Sequence, residues 1–362
     1  MNRVLIVGGS GFLGGHLIER LYLLEDRPEI HVLDIRPPPA PSSKFYSYTL
    51  EDVTFHQGDL TSPESIKAVL ETVRPEVVIH CASPVHGMGK EIYFKVNVDG
   101  TKNVVDCVAE SGFVKALVYT STASVIYDGS DLRNADETFP IPEVAMDAYN
   151  ETKVLGEKYV LESNGKNGVV TCAIRPSGLF GPGDRQLVPG MLAVLKTNGT
   201  IFQLGDNLNL FDFTYIGNVA HAHVLAAQCL LDEKKVESVA GEPFFITNDT
   251  PVYFFTMPRT IWAHKGYVPR FTIKMSRPVG MTLAYLSEWY SWLMGREALF
   301  TRFRVAFTCA NRYFNISKAK NCLDYKPIVG LEEGVLKTLE WIDDEDAKAA
   351  AALVDEKEKK DQ

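Results

Sequence analysis

Tyr149 and Lys153 stand four residues apart in Tyr149-Asn150-Glu151-Thr152-Lys153, so on a helix both side chains leave the same face one turn apart. A phenol is a poor base near neutral pH, but an ammonium one turn away favours the phenolate and is expected to lower the phenol's pKa toward the working range. The pair therefore suits removal of a proton from an alcohol, and the same lysine is placed to hold ribose hydroxyls. Upstream, Thr120-Ser121-Thr122-Ala123-Ser124 closes an apolar run and offers a hydroxyl to orient a substrate oxygen. On its own a Tyr-x-x-x-Lys is an ordinary solvated surface pair, and the elements around it decide its meaning.

Those elements begin at the first residues. Residues 3–7 are a short apolar, β-branched run of the kind buried on both faces of a parallel sheet, and a helical pattern runs from Phe12 to Leu24. Gly8, Gly11 and Gly14 occupy the joint. The first permits the sharp turn, the second lets backbone approach a pyrophosphate, and the third lets helix and strand pack closely. A second strand, residues 29–34, ends in Asp34, twenty residues beyond Gly14, where a carboxylate accepts hydrogen bonds from ribose hydroxyls. This combination points to a dinucleotide site in which Gly8, Gly11, Phe12, Leu13 and Gly14 form the cradle. Asp34 disfavours a 2′-phosphate, so NAD is expected. NADP is the alternative, because Arg36 offers a guanidinium to that phosphate. A third strand, residues 53–56, runs into Gly58-Asp59-Leu60, which puts Asp59 and Leu60 near the adenine. The other role open to Asp59 is capping the helix that begins near Ser62.

Further strands are expected at residues 76–82, 115–121 and 169–175, with helices between them at 62–73, 91–112 and 148–162. The alternation implies an α/β fold, a Rossmann-type doubly wound parallel sheet. Regularity stops at Arg175-Pro176. The expected organisation is a dinucleotide-binding domain over 1–175, a smaller mixed α/β substrate lobe over 176–342 with part of that stretch returning to the first domain, and a charged, solvated or frayed helical tail over 343–362.

The chain has 362 residues and a net charge of −9, with no Lys/Arg cluster, which argues against a nucleic-acid surface. Its six cysteines are scattered and show no metal-ligand spacing, so they read as reduced thiols, and no metal is expected. The first strand begins at residue 3, which leaves no room for a signal peptide and implies a cytosolic start. Residues 279–295 are rich in Trp, Tyr and Leu but carry Glu288 near the middle, too short and too polar for a membrane span. Two readings stand for this stretch: a helix lying in a membrane interface, or one packed on the substrate lobe.

With the glycine joint, Asp34 and the hydroxyl-rich strand end, the Tyr/Lys pair resembles the extended short-chain dehydrogenase/reductases. The motifs Asn97-Val98-Asp99-Gly100-Thr101, Arg175-Pro176-Ser177-Gly178-Leu179-Phe180-Gly181, Phe211-Asp212-Phe213-Thr214-Tyr215 and Tyr313-Phe314-Asn315-Ile316-Ser317 resemble the 3β-hydroxysteroid dehydrogenase family. The similarity runs from residue 3 to about 342, and its nearest branch is the decarboxylating sterol-4α-carboxylate 3-dehydrogenases. By this resemblance Tyr149 is the acid/base, Lys153 its electrostatic partner and ribose anchor, and Thr122 the oxygen-orienting hydroxyl. Asn97 and Pro176 fall where extended members contact the nicotinamide half.

The resemblance implies NAD-dependent oxidation of the 3β-hydroxyl of a 4α-carboxysterol with loss of the carboxyl as CO2. The alternatives are a plain 3β-hydroxysteroid or triterpenoid substrate and, from another class, a non-enzymatic dinucleotide sensor. The expected partners are a sterol or triterpenoid, a membrane surface touched peripherally, and a second subunit docked through the helices near 91–112 and 148–162. The expected location is the cytosolic face of the endoplasmic reticulum, or the cytoplasm. Residues 83–90, with His86, and 251–257 depart from the branch pattern and are candidates for the pocket wall. Phe180, Phe202, Phe211 and Phe213 suit a flat apolar substrate or the core.

Overall fold

Val4 and Ile6 enter one hydrophobic core and Leu5 and Val7 another, because successive side chains of a strand leave opposite faces. That makes the first strand a central one. The computed structural model describes residues 1–360 apart from 86, 198, 297 and 299, with backbone alone at 350 and 352–360. Strands β1 (Arg3–Val7), β2 (Glu29–Asp34), β3 (Val53–Gln57), β4 (Val77–His80), β5 (Ala116–Thr120), β6 (Val170–Pro176) and β7 (Pro243–Ile246) form one sheet, in the order β7-β6-β5-β4-β1-β2-β3. Every neighbouring pair is parallel. The chain reverses its direction of travel between β1 and β4, and a crevice opens there at the carboxyl ends of the strands.

Helices α1 (Phe12–Tyr22), α2 (Pro63–Val73), α3 (Thr101–Glu110) and α4 (Ala148–Glu162) cross between the strands. The long helix expected over 91–112 is present but is not uniform. An α-turn at Lys90–Tyr93 leads into a π-helical stretch at Phe94–Gly100 and then into α3. The wider turns carry the Asn97 carbonyl close to Gly156 of α4, where an added Cβ would lie 2.8 Å from it.

Beyond Pro176 the chain builds a lobe and also returns to the sheet. Its longer helices are α5 (Leu187–Lys196), α6 (Ile216–Leu231), α7 (Thr256–His264), α8 (Arg277–Leu293), α9 (Arg302–Cys309) and α10 (Leu331–Lys360). Of these, α6 packs on α1, β5 and β6, while β7 adds a seventh strand beside β6. A small mixed sheet joins the short strands at 252–253, 210–211, 312–314 and 132–135, so residues from both halves of the chain meet in it. Residues 343–360 continue α10. The six cysteines are free thiols.

Candidate active site

At the end of β1, Gly8 has φ +88°, and a Cβ there would lie 2.5 Å from the Ala82 backbone. Only glycine meets both demands. A Cβ on Gly14 would lie 2.2 Å from the Gly9 carbonyl oxygen, so α1 seats against the turn that precedes it. The N-cap of α1 is Gly11, with no side-chain cap, and Gly8, Gly11, Phe12, Leu13 and Gly14 all line one large cleft. The N–H groups of the first turn are thus left for an anion, as a pyrophosphate requires.

Asp34 ends β2 on the same cleft. Its carboxylate accepts from the Ser10 amide at 3.1 Å and the Arg36 amide at 3.3 Å, and the Ser10 hydroxyl donates to the Arg36 carbonyl at 2.7 Å. The loop is folded around the acid, with the exposed Arg36 also on the cleft wall. Asp59 and Leu60 line the wall too. Asp59 accepts from the Thr61 amide at 2.8 Å, whereas Ser62 is the N-cap of α2 and accepts from the Ser65 amide. The capping role considered for Asp59 therefore belongs to Ser62.

Thr122, Tyr149 and Lys153 line the cleft together, brought there by the end of β5 and the first two turns of α4. Asp147 caps α4, accepting from the Asn150 amide at 2.7 Å, which fixes where the helix starts and so where Tyr149 emerges. Lys153 is buried. Its Nζ donates to the Thr120 carbonyl at 2.5 Å and lies 4.4 Å from the centroid of the Tyr119 ring. Burial lowers its pKa to about 7. The Tyr149 phenol moves the other way. Burial first, then Asp147 and Tyr93, hold its pKa above the ordinary value. This corrects the expectation that the ammonium brings the phenol down, since desolvation disfavours the charged form of each group.

The Thr120 peptide is itself held from behind. His223 Nδ1 faces the Val219 carbonyl at 2.8 Å and so must carry the proton, which leaves Nε2 to accept from the Thr120 hydroxyl at 2.7 Å. Burial keeps this imidazole neutral, with its pKa lowered to about 4. No motif points to His223, which sits more than a hundred residues from Thr120. Thr122 accepts from the Ser124 amide at 3.2 Å. Pro176 lines the cleft, but Asn97 does not. The Asn97 amide donates to the Thr152 hydroxyl at 3.1 Å inside the helix pair, and its Oδ1 is buried with no partner among the described residues.

The cleft holds about 2010 Å³, more than the ~300–1,000 Å³ a single drug-sized ligand fills, so it has room for a dinucleotide and a second molecule. Away from the glycine turn its wall is apolar, with Trp262, Leu283, Phe254, Phe255, Phe303 and Phe307 among the lining residues. Phe180, Phe211 and Phe213 are core residues, and of the four phenylalanines considered only Phe202 reaches this wall. Ser83, Pro84, Val85 and Met88 line it from the 83–90 loop, while His86 lies outside the described residues. Arg312, a residue with no sequence signal, also reaches the cleft.

The 3-beta hydroxysteroid dehydrogenase/isomerase family profile matches residues 5–277. The chain is 53% identical over 345 residues to the decarboxylating sterol-4-alpha-carboxylate 3-dehydrogenase of Saccharomyces cerevisiae, covering 95% of this chain and 99% of that one. It is 36% identical over 340 residues to the enzyme of that name from Mus musculus, covering 92% and 89%. The UDP-glucose 4-epimerase of Thermus thermophilus, solved in complex with NAD, superposes with a TM-score of 0.67 at 21% identity over 94% of this chain and 98% of that one.

Proposed function

The chain belongs to the 3-beta hydroxysteroid dehydrogenase/isomerase family, and from that premise we propose that it oxidises the 3β-hydroxyl of a 4α-carboxysterol to the 3-ketone with NAD, the C4 carboxyl leaving as CO2. The observation that carries the proposal is the meeting of Thr122, Tyr149 and Lys153 on a cleft that has a glycine-turn dinucleotide cradle at one end and aromatic walls at the other. NAD, when bound, supplies the acceptor for the C3 hydride. Asp34 supports NAD over NADP, because a carboxylate at the end of β2 disfavours a 2′-phosphate.

The residues divide the remaining work. The Thr122 hydroxyl orients the substrate oxygen, and Tyr149, acting as the phenolate after losing its own proton, takes the hydroxyl proton as C3 is oxidised. Lys153, carried by the Thr120 carbonyl, offers positive charge one turn along the helix and hydrogen bonds to the ribose. The product is a β-keto acid. Its C4 carboxyl departs because the ketone accepts the electron pair, and protonated Tyr149 can donate a hydrogen bond to that oxygen.

The apolar helix α8 supports peripheral contact with a membrane. Leu286, Trp289, Tyr290 and Trp292 are exposed on it, the last at 76%, while Gly280 and Ala284 form the seam that packs inward. Among the described residues no helix is long and apolar enough to cross a membrane. Leu283 of the same helix lines the cleft, so a substrate drawn from lipid would enter beside it. This supports a place on the cytosolic face of the endoplasmic reticulum. Ile92 and Leu155, exposed on the helices at 90–93 and 148–162, support a homodimer through them.

The test is incubation of the purified protein and NAD with a 4α-carboxysterol, a plain 3β-hydroxysteroid and a UDP-sugar, following NADH absorbance and product mass. The carboxysterol should give NADH and a ketone lighter by CO2. Faster turnover of the plain steroid, or a ketone that keeps its carboxyl, would leave a dehydrogenase of another substrate.

A further inference from the structure

Arg312 lies on the short strand Arg312–Phe314, between the strands at 210–211 and 132–135, with 3% of its surface exposed. Among the described residues no carboxylate pairs with it. Its Nη2 donates to the Ser124 hydroxyl at 2.8 Å, and its Nε is buried with no partner. A guanidinium has five N–H donors in a planar fork that matches a carboxylate. The equally buried Arg175 shows how this fold meets such a demand elsewhere, by a two-point pair with Glu157. The rings of Tyr127, Phe307 and Phe211 lie 4.3, 4.5 and 5.6 Å from the Arg312 Cζ atom. They offer cation–π attraction but no hydrogen-bond acceptor in the plane of the fork.

The position relative to the chemistry is specific. Ser124, whose hydroxyl accepts from Arg312, donates its amide to Thr122 Oγ1, so one residue links the cation to the hydroxyl assigned to the C3 oxygen. A 4α-carboxylate sits on the carbon next to C3. We propose that Arg312 is the carboxylate receptor of the cleft and that its guanidinium, which reaches the cleft wall without a carboxylate partner among the described residues, takes the C4 carboxylate of the substrate while the surrounding rings limit the access of water. This rests on the sterol reading of the site.

The assignment carries a direction through the reaction. The pair favours binding of the ionised acid and sets C3 against Tyr149 and Thr122. When the C4–carboxyl bond breaks, CO2 leaves and its electron pair forms the enolate, which takes a proton at C4 from water. The anion that Arg312 held is then gone, and the neutral ketone has lost its strongest contact.

The test measures binding to the NADH-bound protein, in detergent micelles, of a 4α-carboxysterol and its 4α-methyl counterpart, using the fluorescence of Trp262 and the other tryptophans. The wild type should prefer the acid by about 10- to 100-fold, the range of a charge-assisted hydrogen-bonded pair. Arg312→Met should reduce that preference to within about threefold and leave the 4α-methyl affinity unchanged, and Arg312→Lys should restore part of it. Wild type without a preference, Arg312→Met with an intact one, or equal weakening of both ligands would overturn the assignment. Should the methionine variant fail to fold, the lysine variant decides: wild-type affinities for both ligands would overturn it. NADH and CO2 release are read separately. Loss of preference in the variant with no NADH from any protein would sink the dehydrogenase and keep the receptor, whereas turnover with an unchanged preference would do the reverse.

Discussion

Burial lowers the ammonium of Lys153 and raises the phenol of Tyr149, so in the protein both groups favour their neutral forms more than they do in water. For the lysine this makes a prediction about stability. Its pKa is 10.5 in the unfolded chain and about 7 in the fold, so between these values the unfolded state binds more protons and stability rises with pH. Below about pH 7 both states are protonated and the cost of the buried charge is present in full. Lys153→Met, which removes the charge, should therefore exceed wild type in stability at pH 6 and lose that lead as pH approaches 10. Denaturant titrations of both proteins at pH 6, 8 and 9.5 would show it, and a constant gap would refute it. For the tyrosine the prediction concerns turnover. Tyr149→Phe keeps the ring, which packs edge-on against Tyr93, but removes the proton acceptor. It should lower kcat by about 10²- to 10⁴-fold, with NAD affinity from calorimetry nearly unchanged.

At the scale of elements, the position of α4 depends on a contact that no motif announces. Glu157, two turns along α4 from Tyr149, takes both Nε and Nη2 of Arg175 on β6, and both residues are almost fully buried. Glu157→Ala leaves that guanidinium buried without its partner and should cost about 3–5 kcal/mol in urea unfolding. Because the helix carries two of the three assigned catalytic groups, kcat should fall further than KM changes. The first half of the fold was legible in the sequence because β-branched runs alternate there with glycine joints and amphipathic helices. Pro243-Phe244-Phe245-Ile246 carries no clear strand signal, being four residues long and followed by no regular helix that would mark a parallel unit. The π-helical turns at 94–100 leave the apolar spacing almost unaltered, so the sequence cannot separate them from α-helix. Arg312 had no signal either. Its environment is assembled from strands at 132–135 and 210–211, far along the chain, and no spacing rule reaches that distance. The direction of the Tyr149 pKa is hidden for a related reason, since helical spacing shows which groups are neighbours but not how deeply the fold buries them.

Across the whole molecule, the sheet and the lobe are not successive. Helix α6 covers β5 and β6, and β7 closes the β6 edge, although both lie after Pro176. A fragment of residues 1–175 should therefore be insoluble or molten by circular dichroism, with an apolar sheet face and an unpaired edge exposed. A stable, NAD-binding fragment would contradict this. The exposed face of α8 makes a second prediction at this scale. Trp289→Ser with Trp292→Ser should reduce sedimentation with liposomes several-fold while leaving the melting temperature within a degree or two, because neither side chain is buried. An unchanged liposome fraction would mean that the helix is not the anchor. The interleaving of sheet and lobe also bears on how such proteins can be recombined. A chimera joined at residue 176 would graft a foreign β7 and a foreign α6 onto a resident β6, breaking two packing surfaces at once. Exchange of pocket specificity among relatives is therefore expected to proceed by point substitutions along the cleft wall, and not by swapping the lobe as a cassette.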